Sequence, residues 1–186
     1  MVHTAKIKGS DWHVSVGGLR DVQIDDVDEL LGRARRASPD SIFQVFDADK
    51  VAGWRHLFFA AVNAVKSHDS GSAISRNLVV EVMLYASCKD QISRAFEVMG
   101  VSQGRSNVAL LVLSESPKEA EIAYKRISEV LGADDDSVLE VSAEKRGLIK
   151  STFGISNLEL EAVGGPTEDA LTRLIIEIGA LLKVRR

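Results

Sequence analysis

Seven consecutive residues without a charge, Asn107 to Leu113 (NVALLVL), constrain this chain most. A run of that length and β-branched content reads as a central strand buried on both faces, so the rest of the chain has to supply cover on either side of it. Helical patterns of suitable length lie before and after it. Val27, Leu30, Leu31 and Ala34 have helical spacing, with carboxylates ahead of them and Arg33, Arg35 and Arg36 behind, and Pro39 ends that helix. Ser116-Pro117 opens another in the favoured cap-then-proline order, running to about Leu131-Gly132. Trp12, Val14 and Val16 alternate as a half-buried strand, and Ser41 to Phe46 reads as a short buried one.

Between Lys50 and Gly100 the pattern is helical almost throughout. One helix is expected over about Asp49–His68 with Asp49 as its cap. A second is capped by Ser75, and a third begins near Lys89 or Asp90 and is closed by Gly100. Beyond the central strand, Asp134 to Asp136 is expected to be a solvated turn, Ser137 to Val141 a short strand, and the remainder three helices, the last over Thr167–Lys183. The fold class is therefore α/β (mixed α+β): a single domain over residues 1–186, with a small mixed sheet flanked by helices and a helical cluster at about 49–100.

Composition removes several functions. No apolar run reaches the roughly eighteen residues a membrane helix needs, and Met1 to Gly18 lacks the layout of a secretory signal, so the expected location is the cytoplasm, with the nucleus added in a eukaryotic host. The single cysteine, Cys88, rules out an internal disulfide and a cysteine-based zinc site, and is expected to be a small buried hydrophobe. Gly17-Gly18 lacks the spacing and the terminal Lys-Ser/Thr of a phosphate loop and reads as a turn. His3, His13, His56 and His68 fall in no ligand spacing, so no metal and no cofactor is expected. Without a nucleophile or acid–base motif, the residues favour a binding module over an enzyme.

The net charge of −4 hides a division along the chain. Residues 50–105 carry 7 Lys/Arg against 4 Asp/Glu, whereas the segments on either side are net acidic. Arg55, His56, Lys66, Arg76, Lys89 and Arg94, with Tyr85 nearby, are the types that clamp phosphates and stack on unpaired bases; snorkelling around a helical core is the ordinary role of the same residues. Leu174, Ile178 and Leu181 belong to a wide apolar arc of the last helix, which either buries against a core or leaves a strip for a partner.

Phe46-Asp47-Ala48-Asp49-Lys50-Val51-Ala52-Gly53, followed by His56-Leu57, resembles the small kinase-binding subunit of the KEOPS (EKC) complex, the TPRKB family. The stronger match is Leu84-Tyr85-Ala86-Ser87-Cys88-Lys89-Asp90-Gln91-Ile92 with Ala95, similar to that family's Leu-Tyr-Ala-Ser-Gly-basic-Arg-Gln-Ile pattern; Tyr85, Ser87, Gln91 and Ile92 carry it. Gly100-Val101 and Phe153-Gly154-Ile155 follow, so the likeness covers about 41–163 and is weaker over 1–40 and 164–186. Cys88 and Asp90 stand where the family has glycine and arginine, leaving Lys89 and Arg94 as the basic groups there.

The resemblance implies a non-catalytic subunit of the complex that makes threonylcarbamoyladenosine in tRNA. Its partners would be the atypical protein kinase/ATPase subunit, whose activity it supports, and the single-stranded 3′ CCA end of tRNA. Arg55, His56, Lys66, Arg76, Lys89 and Arg94 are the expected tRNA residues, and Leu174, Ile178 and Leu181 the expected kinase-facing ones. A structural adaptor that binds no RNA, and a small α/β enzyme with a dispersed active site, are the alternatives.

Overall fold

The computed structural model describes residues 2–183; Met1 and the last three residues of the weaker-matching 164–186 segment lie outside the described residues. In chain order the elements are β1 (His3–Lys6), β2 (His13–Ile24), α1 (Val27–Ala37), β3 (Ile42–Asp47), α2 (Gly53–Asp69), α3 (Leu78–Ser87), α4 (Ile92–Met99), β4 (Gly104–Ser114), α5 (Pro117–Leu131), β5 (Ala133–Asp134), α6 (Ala143–Phe153), α7 (Asn157–Val163) and α8 (Thr167–Ala180). Short 3₁₀ turns occupy Ala48–Lys50, Asp136–Leu139 and Leu181–Lys183. The chain forms two compact units, one of the residues up to Ala48 with Gly100–Leu139, the other of Asp49–Met99 with the residues from Glu140 onward.

The first unit holds the sheet, in the order β1-β2-β4-β3 with β5 added to β2. β4 contains the uncharged run, and Val108 to Leu113 are at most 2% exposed, so both faces of the strand are buried as the sequence requires. The α/β class holds, but the sheet is antiparallel at every pairing instead of mixed. Its physical origin is the path of the chain: α1 returns β3 parallel to β2 but leaves one strand's width between them, and β4 fills that gap antiparallel to both. α1 and α5 lie on the sheet through Leu30, Ala34, Ala123, Tyr124 and Ile127, which join Leu110 and Val112 of β4 in one core.

Gly17-Gly18 is not a turn. Both residues lie within β2, paired with Leu110 and Ala109. Successive residues of a strand face opposite sides, and here something presses on each. A Cβ on Gly17 would lie 2.6 Å from Cζ of Tyr124 in α5, while a Cβ on Gly18 would lie 2.7 Å from the Asp135 carbonyl and also strike Val138 in the following 3₁₀ turn. A further departure comes beyond α5. The segment expected as a strand, Ser137 to Val141, instead begins in that turn, and Asp134 pairs with Leu19 of β2. Asp135 accepts hydrogen bonds from Ser137 Oγ at 2.6 Å and Arg20 Nε at 2.5 Å, which hold its carboxyl down to about 2. The terminal strand β1, absent from the sequence reading, is four residues of mixed polarity with too little alternation to stand out.

The second unit is built of helices joined by loops, with no strand among its described residues. The cluster expected at 49–100 is packed with the C-terminal helices: α8 touches α2, α3, α6 and α7. α3 (LVVEVMLYAS) is apolar around most of its circumference, as a helix enclosed by others must be, and Val82, Met83, Leu84 and Ala86 are inaccessible to solvent. Gly179 lets α8 approach α3 closely, since a Cβ there would lie 3.0 Å from the Tyr85 carbonyl.

Candidate functional site

The Leu84 to Ala95 motif divides at Cys88. Its first half completes α3 and belongs to the core: Tyr85 is 3% exposed, and Ser87 is fully buried with its hydroxyl donating to the Leu84 carbonyl at 3.0 Å. Tyr85 therefore presents no ring to an unpaired base. Cys88 ends α3 in the left-handed conformation, φ 56° and ψ 33°, and the Lys89 N–H returns to the Leu84 carbonyl at 3.1 Å, closing the helix. That conformation is the one glycine adopts without penalty, which accounts for the glycine in the pattern this sequence resembles. Cys88 is half-buried instead of fully buried, with its thiol directed at the Tyr85 and Ile175 carbonyls.

The second half of the motif faces water. Asp90, Gln91, Ile92 and Arg94 are exposed, and Lys89 is half-buried. Arg94 donates to Glu97 at 2.9 Å, an exposed pair of the kind that contributes little to stability and exchanges readily for another anion. Arg76 sits just before Asn77, the residue that caps α3 in place of the expected Ser75. It is thus at the opposite end of that helix from Lys89, about 15 Å away for ten residues. Arg55 and Lys66 are exposed on α2, so the six expected tRNA residues do not form one cluster.

His56 is corrected outright. It is 2% exposed, its Nε2–H donates to the Ala86 carbonyl at 2.8 Å, and its Nδ1 accepts the Ala52 N–H at 3.2 Å. The Phe153 ring lies edge-on at 5.6 Å. Burial lowers its pKa to about 4, so this is a neutral core histidine. The ring nitrogen thus holds the backbone of Ala52, the residue that opens α2 without a side-chain cap, while Asp49, the expected cap, lies in the preceding 3₁₀ turn.

Glu81 went unnoticed in the sequence, although a lone carboxylate in the otherwise uncharged α3 is the signal that marks it. It is fully buried, and its Oε2 accepts the backbone N–H groups of Ile74 (3.0 Å) and Ser75 (2.8 Å). In this way it fixes the loop that presents Arg76. Replacing Glu81 by alanine is expected to lower stability by about 2 kcal/mol, because the Ile74 and Ser75 N–H groups lose their acceptor. Amide exchange should become faster at Ile74 and Ser75 before it does elsewhere; equal protection in the variant would refute this anchoring role.

In α8, Leu174 and Ile178 are half-buried against a core of Ile149, Leu171 and Ile175, while Leu181 is 41% exposed. Their spacing of four and three residues puts them in one stripe, grading from core to surface. A cleft of about 590 Å³ opens beside the start of α2, lined by Arg55 and Arg173 together with Glu140, Glu168 and Asp169. With three carboxylates to two guanidiniums, it is poorly suited to phosphate.

The family model for kinase binding protein CGI-121 matches residues 20–181. The chain belongs to the CGI-121 family. Regulatory protein Cgi121 of Methanocaldococcus jannaschii is 33% identical to it over 114 residues, 61% of this chain and 70% of that protein. The CGI-121 match spans α3, α4 and α8 together, so the exposed half of the motif and the α8 stripe both fall within what the family shares.

Proposed function

We propose that this protein is a non-catalytic, regulatory subunit of the KEOPS complex in the cytoplasm, that it binds and supports the atypical kinase/ATPase subunit, and that it recruits tRNA by its single-stranded 3′ CCA end. Membership of a kinase-binding family carries the reading. The relative's name as a regulatory protein agrees with a role without catalysis of its own. The kinase-facing surface is the stripe of Leu174, Ile178 and Leu181, which offers apolar side chains next to a packed core.

The tRNA surface is centred on the junction of α3 and α4, where Lys89, Gln91 and Arg94 stand at the water-facing half of the motif. An unpaired end exposes both phosphates and base edges, so a few cations and an amide hold it without the dense positive charge that duplex binding needs. Arg76 holds backbone further along the strand. Asp90 weakens the site relative to an arginine at that position, leaving Lys89 and Arg94 to supply its charge.

Charge reversal at Lys89 and Arg94 together is expected to weaken tRNA binding at least about tenfold and to flatten the dependence of log K on log salt by roughly 1.4, two phosphate contacts on a single strand. The variant should keep its circular dichroism and its affinity for the kinase. Unchanged tRNA affinity would overturn the assignment of these residues.

A further inference from the structure

Arg55, Phe59, Val62 and Lys66 follow one another at spacings of four, three and four residues along α2. That is the spacing of a seam on which a second helix lies nearly parallel. Arg55, Phe59 and Lys66 are exposed, Phe59 to 40%, and Val62 is half-buried. The opposite side of α2 carries the buried Leu57, Ala60, Ala61, Ala64 and Val65, so its packing inside the unit is already satisfied and the seam is surplus to it.

The apolar centre is stiffened by its neighbours. Phe58 lies edge-on to Phe59 with ring centroids 5.4 Å apart and to Trp54 at 5.9 Å, while the Arg55 guanidinium rests over the Trp54 ring at 5.8 Å. This arrangement is unlike a base-stacking platform, because the rings turn their edges to one another and one face of the indole is already covered by a cation. It suits a protein helix. The two ends of the seam are cationic and about 16 Å apart, three helical turns.

We propose that the outer face of α2 docks an acidic amphipathic helix of a protein partner, with apolar side chains over Phe59 and Val62 and carboxylates opposite Arg55 and Lys66. The proposal is independent of the tRNA reading, which rests on Lys89 and Arg94.

Two synthetic peptides of about 18 residues, long enough to cover three turns with a margin, test it on the full chain. Both carry leucines at four-three spacing; one has glutamate at the flanking positions and the other lysine. The glutamate peptide is expected to bind at least about tenfold more tightly than the lysine peptide, and Phe59→Ala to weaken it by a similar factor without altering the far-ultraviolet circular dichroism. The double variant Arg55→Glu, Lys66→Glu should reverse the preference between the two peptides. Equal affinity for both, no binding of either, or a preference unmoved by the double variant would overturn the proposal. So would an oligouridine that competes for this face and is itself weakened by Phe59→Ala, since the occupant would then be nucleic acid.

Discussion

Replacing Gly18 by alanine is expected to destabilise the protein by about 3 kcal/mol, the upper part of the range for overpacking a closed interior. The added methyl group meets a backbone atom, the Asp135 carbonyl at 2.7 Å, as well as the Val138 side chain. The backbone there has little freedom, because the Asp135 N–H is bonded to the Gly18 carbonyl at 2.9 Å and Asp134 pairs with Leu19. Relief would require the β5 segment and its 3₁₀ turn to leave β2. Gly17→Ala meets a side chain instead, so it should cost less, about 2 kcal/mol: the Tyr124 ring swings away and loses its 2.7 Å hydrogen bond to Asp134. The two are separated by a second substitution. Tyr124→Ala should make Gly17→Ala nearly neutral in the double variant and leave the penalty of Gly18→Ala as it was, read from urea midpoints. A Gly18→Ala protein as stable as its parent would show that β2 is not pressed from this side.

The second large effect is a loss of stability in mild acid that originates at His56. Its pKa is about 4 in the folded chain and near 6.5 when unfolded. Between these values the unfolded state binds the extra proton, so stability rises with pH; it is complete above about 6.5 and falls away as pH drops toward 4. A difference of that size corresponds to about 3 kcal/mol across the window. The cause is desolvation of the imidazolium, opposed in part by the Ala86 carbonyl and reinforced by Lys145. Asp135 contributes too, but being held down to about 2 it acts below the ordinary carboxylate value of 3.8, in a separate range. His56→Leu is therefore expected to remove most of the pH dependence between 6.5 and 4 while lowering stability at neutral pH, because the Ala52 N–H and Ala86 carbonyl lose their partner. Parallel pH profiles for the two proteins would contradict the assignment.

Several elements were legible because a single local cause fixes each. The uncharged run became β4, and Ser116-Pro117 became the cap and first residue of α5, with Ser116 accepting the Glu119 N–H. The misreadings have a shared origin in contacts distant along the chain. Gly17-Gly18 has the composition of a turn, and only Tyr124 on one side and Asp135 with Val138 on the other make glycine the residue a strand needs there.

The candidate site was readable in part for the same reason. A motif is a string of neighbours, whereas exposure depends on what packs above it. Tyr85 and Ser87 therefore went to the core while Gln91 and Ile92 went to water, and His56, chemically apt for a phosphate, was taken by the interior. Glu81 reverses the case: a charge in an apolar helix that proves to be the anchor of a loop.

Recruitment of an unpaired tRNA end is the proposed role of this member of the CGI-121 family. The most direct test is the affinity of the purified chain for intact tRNA and for the same tRNA trimmed of its 3′ CCA, each at two salt concentrations. Binding of the intact tRNA is expected to be salt-sensitive and to fall at least about tenfold on trimming, as contacts to single-stranded nucleotides are lost. Equal binding of both, or binding of neither, would contradict it and leave the protein as an adaptor for its kinase alone.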